Sequence, residues 1–401
     1  MNKFNKKGKE AEEATYELLT SSYLSHWTFI NPMDVDGDKK EICDILIFFD
    51  GHLFLISVKN YAFKGDHEKF FRKVIEKSSR QLHGAERKIT NRDNIKIIHE
   101  ERGEVVIKKE EITDIYLITV FHNDDLEYYP IHDLKKEDKP ISIFLQSYFE
   151  KVVSEFDTTS DLIDYLIKRH NLLSNNENVS LNGNELDLAA VYLTNAREFP
   201  SEYYQKVDHV LLDISDEWNK YDQNEQTRLK RLADKPSYFI DWLVEEFILK
   251  NYSNPANTKL AEVLLNLDRL MRRVITDSLF ELIDKHKEKK EFIARRVFSI
   301  DDHYYALIYV SNDILQSDLA EWLCETLAVG THIYFADKKS SNHIVLITNQ
   351  KIQPVYYAYW GIGEELDESY LEEIEKRCKE YGFLQNLKGF KKHYSEYPSD
   401  I

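Results

Sequence analysis

In residues 42–59, ICDILIFFDGHLFLISVK, two apolar runs flank Asp50-Gly51. Asp-Gly between such runs is a strong hairpin signal. With those two residues as the loop, Phe49 pairs with His52 and paired positions sum to 101. A four-residue loop gives the same register. Asp44 then lies opposite Ser57, and Ile42 opposite Lys59. Side chains alternate between the faces of a sheet, and directly opposed residues share a face. Asp44, Ser57 and Lys59 are therefore expected on one side of otherwise apolar strands. A carboxylate and an ammonium in that setting are costly unless paired or engaged with a metal. Taken alone, the pair reads as a salt bridge at a strand end, or as a Lys59 that snorkels to solvent.

Working outward, residues 7–20 carry an apolar stripe (Ala11, Ala14, Leu18, Leu19) at helical spacing, and residues 27–32 suggest a strand. Asp66–Arg87 is a long helical stretch with Phe71, Val74, Ile75, Ser78, Leu82 and Ala85 on one face. On the opposite face Lys73, Lys77, Arg80, Gln81, Gly84 and Lys88 fall within an arc of about 100°. That is an ordinary solvated helix face or, with a glycine allowing close backbone approach, a phosphate-binding one. Ile95–Lys109 reads as a hairpin turning near Arg102-Gly103, and Ile112–His122 as a buried strand. The order is thus helix, three strands, helix, strand.

Thr158–Leu173 reads as a helix, and the polar run Ser174–Asn178 places a boundary after it, giving domains 1–173 and 180–401. Beyond it, Tyr238–Lys250 and Lys259–Lys285 have amphipathic helical patterns. Phe292–Ser299, Tyr304–Val310 and Ile344–Thr348 read as strands, and Asp318–Leu327 as a helix. The fold class is α/β in content and α+β in order, with a mixed sheet in the first domain.

At this point the sequence resembles the PD-(D/E)xK nuclease superfamily, the restriction-endonuclease-like fold with an αβββαβ core. The resembling residues are Gly8-Lys9-Glu10-Ala11-Glu12, Cys43-Asp44-Ile45-Leu46 and Ile56-Ser57-Val58-Lys59. The resemblance implies a hydrolase of phosphodiester bonds that uses Mg²⁺ or Mn²⁺. It puts Asp44 and Glu12 on the metal and makes Lys59 the residue that orients or activates the attacking water. The position two before the lysine, acidic in the superfamily, is Ser57, so a charge is missing that Glu12 or Glu41 would have to supply. Glu41 has the wrong strand parity for the Asp44 face, which favours Glu12. Gln81 follows Lys59 by 22 residues, much like the helix glutamine of the RecB-type nuclease motif, although Ala85 replaces that motif's tyrosine. Residues 76–86 and 156–166 are similar to segments of an uncharacterised bacterial family with a nuclease-like N-terminus. That similarity implies an endonuclease acting on DNA in preference to RNA, in antiviral defence, as a homodimer or with a defence-system partner protein. In this reading Lys73, Lys77, Arg80 and Lys88 contact nucleic acid. A catalytically degenerate nucleic-acid-binding module and a protein-interaction scaffold stand as alternatives.

Composition bounds these readings. The 401 residues carry 53 Lys+Arg and 71 Asp+Glu, a net charge of -18. That argues against a general nucleic-acid coat. Residues 1–110 are close to neutral, however, so the deficit belongs to the remainder. Cys43, Cys324 and Cys378 are far apart with no Cys-x-x-Cys, which suits a reducing cytoplasm. No signal-peptide h-region is read at the N-terminus, and no apolar run approaches the ~18–20 residues of a membrane span. There is no P-loop, Gly-x-Gly-x-x-Gly, His-Glu-x-x-His or Gly-x-Ser-x-Gly motif. His122 and His132 read as structural or exposed, and Asp301-Asp302-His303 as a polar turn. Tyr356–Trp360 reads as core or interface packing, and Arg269, Arg272 and Arg273 as part of a mixed solvated helix face.

Overall fold

The computed structural model describes residues 3–20, 22–37, 39–61, 66–122, 131–133, 141–174, 179–204, 210–251, 254–290, 293–311, 317–335, 341–349, 354–362, 366–385 and 392–398. The chain divides into two compact units, Met1–Arg228 and Leu229–Ile401.

In the first unit α1 (Lys3–Thr20) buries Ala11, Thr15 and Leu19, four residues apart on one face. Three strands follow, β1 (Thr28–Ile30), β2 (Ile45–Phe49) and β3 (His52–Lys59). The β2–β3 hairpin has the expected register, from Phe49 opposite His52 to Ile45 opposite Ile56. Asp50 (φ 45°) and Gly51 (φ 85°) both turn left-handed, as a two-residue hairpin loop requires. A Cβ on Gly51 would also meet the Thr113 hydroxyl at 2.9 Å, so this glycine is needed twice over. The helix α2 (His67–Thr90) starts at Asp66, whose side chain accepts from the Lys69 N–H at 2.9 Å. The hairpin β4 (Asn94–His99) and β5 (Gly103–Lys108) precedes β6 (Asp114–Phe121), which lies parallel to β3. Then come β7 (His132–Asp133), β8 (Ile141–Leu145), α3 (Gln146–Glu155) and α4 (Thr159–Ser174). The sheet order is β1-β2-β3-β6-β8-β7, with parallel and antiparallel neighbours mixed. Val74, Leu82, Ala85 and Ile89 of α2 pack on Leu53, Leu55 and Leu117 of β3 and β6.

The boundary expected at 173–180 does not divide the structure. Four further elements belong to the first unit: β9 (Val179–Asn182), α5 (Glu185–Thr194), β10 (Val210–Asp213) and α6 (Glu217–Asp222). A buried ion pair explains why. Glu185, fully buried at the start of α5, accepts from Arg169 Nε and Nη2 of α4, each at 2.8 Å, and from the Tyr165 hydroxyl. Tyr192 of α5 also packs edge-on against Tyr165. Of the polar run after α4, residues 175–178 lie outside the described residues.

The chain passes through α7 (Glu225–Asp234) into the second unit, which contains α8 (Tyr238–Leu243), α9 (Pro255–Leu265) and α10 (Arg269–His286). The expected continuous stretch Lys259–Lys285 is two helices. Asp268 caps α10 by accepting from Met271 N–H at 2.7 Å and so breaks the run. Next come β11 (Ile293–Ile300), β12 (His303–Val310), α11 (Ser317–Phe335), β13 (Ser341–Thr348), β14 (Pro354–Ile362) and α12 (Glu368–Glu380). The four strands pair in chain order. The outer pairs are antiparallel, and the central pair, joined through α11, is parallel. Ile308, Val345, Leu323, Leu327 and Ile374 form part of the core between this sheet and α11 and α12.

Two expectations for this unit meet different outcomes. Asp301 (φ 49°) and Asp302 form the turn between β11 and β12, and Tyr356 and Trp360 pack against the core, as read from the sequence. The three arginines of α10 are not solvated. Arg269 and Arg272 pair with Asp241, and Arg273 with Asp234; all three are buried. Their partners come from before α9, where helical periodicity along α10 gives no hint of them. Among the described residues no helix is long and apolar enough to cross a membrane.

Buried histidines make this fold acid-sensitive. Burial, with His332 and His303 beside it, holds His343 down at about 4, against an unfolded value of about 6.5. A base depressed in the folded state is protonated first in the unfolded state, so its contribution is full above pH ~6.5 and is lost as pH falls toward 4. The stability advantage of wild type over His343→Gln, measured by urea unfolding of the second unit's signal, is expected to shrink by about 2–3 kcal/mol between pH 7 and pH 4.5. A difference that stays flat with pH would contradict a neutral His343.

Candidate functional site

Asp44 is the last residue before β2, and its carbonyl accepts from the Asn31 N–H at 2.8 Å. That contact ties the approach to β2 against the end of β1. Asp44 Oδ2 accepts from Val58 N–H at 2.6 Å, Ser57 Oγ at 3.1 Å and Lys59 Nζ at 3.2 Å. Lys59 also donates to the Val58 carbonyl at 3.0 Å. Asp44 and Lys59 are 7% and 6% exposed, so Lys59 does not snorkel; it is held inside with its carboxylate. At the end of β3, the Lys59 carbonyl accepts from His122 N–H at 2.9 Å. The His122 ring meets Thr15 Oγ1 of α1 at 2.8 Å, a tie between α1 and the sheet.

Two more carboxylates act on this pair. Glu12, on α1, is raised above its usual range by burial, then by the charges of Asp44 and Glu41; Lys59 and a hydrogen bond with Asn31 oppose the rise. Glu41 is raised by burial and by Asp44, with which its carboxyl shares a hydrogen bond. The parity argument against Glu41 therefore fails. Period-two alternation holds only within a regular strand, and Glu41 forms just an isolated bridge with Met33 before β2 begins. Among the described residues no three His, Cys, Asp or Glu side chains are gathered into a ready-formed metal cage.

Asp44 and Ser57 open onto a cleft of ≈ 370 Å³. Glu41 lines it beside them, while Arg80, Gln81, Gly84 and Lys88 of α2 form another part of its wall. Arg80, Gln81 and Lys88 of α2, far along the chain from β3, are thus brought to Asp44. Lys88 Nζ donates to the Lys40 carbonyl at 2.9 Å, which bridges the two walls. A Cβ on Gly84 would meet nothing within 4 Å, so the helix backbone is open there. Lys77 instead donates to the Tyr61 hydroxyl at 2.7 Å and lies over its ring, and Lys73 is exposed; neither lines the cleft. Glu12 approaches Asp44 from α1 and is not among the lining residues. Lys40 was the lining cation that helical and strand periods could not reveal, because it lies in the irregular segment before β2. No protein-family model, curated protein or solved structure matches this chain.

The pair is an energetic unit as well as a chemical one. Lys59→Met leaves a buried carboxylate with two donors, and Asp44→Asn leaves a buried ammonium with one carbonyl. Each is expected to cost about 3–5 kcal/mol in denaturant unfolding. The double variant removes both charges, so its cost should fall well below the sum of the two. Additive costs would show that the two residues are not coupled.

Proposed function

We propose that the first unit is a metal-dependent nuclease domain that hydrolyses phosphodiester bonds, in DNA in preference to RNA. One observation carries this reading: the buried Asp44–Lys59 pair sits beside a cleft whose other wall is the Arg80, Gln81 and Lys88 face of α2. The resemblance of residues 8–12, 43–46 and 56–59 to nuclease motifs supports it independently. Asp44, Glu12 and Glu41 offer the oxygen donors that a hard cation takes without being gathered into a ready-formed cage, and burial, then the charge of Asp44, raises the two glutamates. Asp44 and Glu12 would hold Mg²⁺ or Mn²⁺, with Glu41 supplying the charge that Ser57 lacks. When bound, the ion stabilises charge on the phosphate and lowers the pKa of a coordinated water.

The remaining roles belong to the chain itself. Arg80 and Lys88 attract backbone phosphates into the cleft. The open backbone at Gly84 lets a strand lie close to α2. Gln81 orients groups by donating and accepting through its amide. Ser57 aims the Asp44 carboxylate, and the Lys59 ammonium adds fixed positive charge and positions the attacking water. A cytoplasmic setting agrees with three buried free cysteines, and the part in antiviral defence, with a second copy or another defence protein as partner, rests on the family resemblance.

A second reading, a degenerate module that binds without cutting, is favoured by Ser57 at the acidic position and by Lys59 occupying Asp44 Oδ2. Incubation of plasmid and single-stranded DNA with Mg²⁺ or Mn²⁺ separates the two. Cleavage is expected in wild type and should drop at least ~100-fold in Asp44→Asn and Lys59→Met, with circular dichroism confirming their folding. Equal cleavage by all three would remove these residues from the chemistry. Salt-sensitive binding with no cleavage would establish the second reading.

Gly84 tests the cleft separately. Gly84→Ala is expected to stabilise the unit by about 0.5–1 kcal/mol, because alanine is the better helix former and its Cβ meets nothing. It should nonetheless weaken nucleic-acid binding, as read by a salt-dependent filter or anisotropy titration. Unchanged affinity would mean that the backbone of α2 is not approached.

A further inference from the structure

The chain turns left-handed at Asn31 (φ 44°), the residue that follows β1. Positive φ crowds the Cβ of any residue but glycine, and asparagine tolerates it better than most. Pro32 comes next and narrows the backbone of Asn31 further. Asp50 and Asp301 take the same conformation inside hairpin turns, where the turn requires it. Asn31 lies in no hairpin turn. It stands instead beside the run of chain that leads into Asp44 and β2.

Across from Asn31 is a β-bulge. Ile30 pairs with Ile45, and Met33 with Glu41. Asn31 and Pro32 separate those pairs on one side; Ile42, Cys43 and Asp44 separate them on the other. Asn31 N–H donates to the Asp44 carbonyl at 2.8 Å, and Ile42 N–H to the Pro32 carbonyl at 2.9 Å. Cys43 is therefore the extra residue. One inserted residue reverses side-chain parity, which brings Glu41 to the Asp44 face, where the two share a hydrogen bond. The backbone outlier and the bulge thus coincide where the candidate ligands are aimed, a place where held strain points to a positioning role.

Asn31 also reaches the third carboxylate. α1 packs on β1 and β3, and the Asn31 side-chain amide donates to the Glu12 carboxylate. One residue is therefore bonded to both Asp44 and Glu12, to the first through its main chain and to the second through its side chain. A residue merely tolerated in a bend would use the backbone alone. A neutral amide holds a carboxylate in place without cancelling the charge that a cation needs, as a lysine or arginine would. We propose that Asn31 is a positioning residue of the candidate metal site, fixing Asp44 through its N–H and holding Glu12 beside it through its amide. This rests on the reading of Asp44 and Glu12 as metal ligands, and its test does not depend on cleavage.

Isothermal titration of the full chain with Mn²⁺ is the test. Asn31→Gly keeps the N–H and accepts the left-handed backbone, so it deletes the amide alone. It should melt close to wild type and bind Mn²⁺ about tenfold more weakly. Asn31→Asp, which keeps the side-chain size but loses the donor, should weaken binding too and serves if the glycine variant does not fold. Glu12→Gln should also weaken binding, and adding Asn31→Gly to it should change nothing more, because the amide acts through Glu12. The proposal is overturned by a wild type that binds no Mn²⁺, by wild-type affinity in the Asn31 variants, or by an Asn31→Gly effect undiminished in Glu12→Gln. Mn²⁺ binding that follows the expected pattern in a chain that cuts no DNA keeps the role of Asn31 and removes the nuclease reading. Cleavage with Mn²⁺ affinity indifferent to Asn31 does the reverse.

Discussion

The buried pairing of Asp44 with Lys59 is the constraint around which the first unit is arranged. An ammonium at the end of an apolar strand is tolerable only with a carboxylate and further acceptors in place. Each supporting contact has a structural consequence. The Val58 N–H on Asp44 Oδ2 pins the start of β2 to the end of β3, and the Asn31 N–H on the Asp44 carbonyl brings in the end of β1. The Lys59 carbonyl accepts from His122, whose ring reaches Thr15, so α1 and β6 are tied to the same point. A hydrophobic pair of equal volume would keep the two backbone ties but lose those of the Asp44 carboxylate to the Val58 N–H, Ser57 and Lys59.

The same constraint explains the behaviour of the neighbouring acids. Three carboxylates share one ammonium, so the local balance is negative even with Lys59 in place. Burial and mutual repulsion push Glu12 and Glu41 upward, and a hard divalent cation is the group that relieves such crowding. Ser57 adds a hydrogen bond to Asp44 Oδ2. Glu41 reaches Asp44 because the chain before β2 is irregular.

What was legible in the sequence follows from which periodicities were regular. The hairpin register came from one Asp-Gly turn, and strand alternation then put Asp44, Ser57 and Lys59 together without any long-range knowledge. Helical spacing likewise placed Arg80, Gln81 and Lys88 on one face, and the cleft shows which part of that face meets Asp44. Lys73 and Lys77 share the angular sector but lie nearer the start of α2, which an arc alone does not register. Glu41 and Lys40 were obscured because no period applies to the segment that carries them. The Arg169–Glu185 pair and the buried arginines of α10 were hidden for a different reason: their partners lie in other elements, and a charged residue reads as surface until its partner is known. The polar run after α4 was mistaken for a domain edge on the same grounds.

Net charge is a poor guide to what such a protein binds. At physiological ionic strength the screening length is about 8 Å, so exposed charges well beyond that distance contribute little to the field in a cleft. The total of -18 therefore averages over regions that do not act together. A single helix illustrates the point: α2 presents Arg80 and Lys88 to the cleft and the buried Glu86 to its other side. Residues 80, 84 and 88 recur at the helical four-residue step, and residue 86 falls on the opposite side.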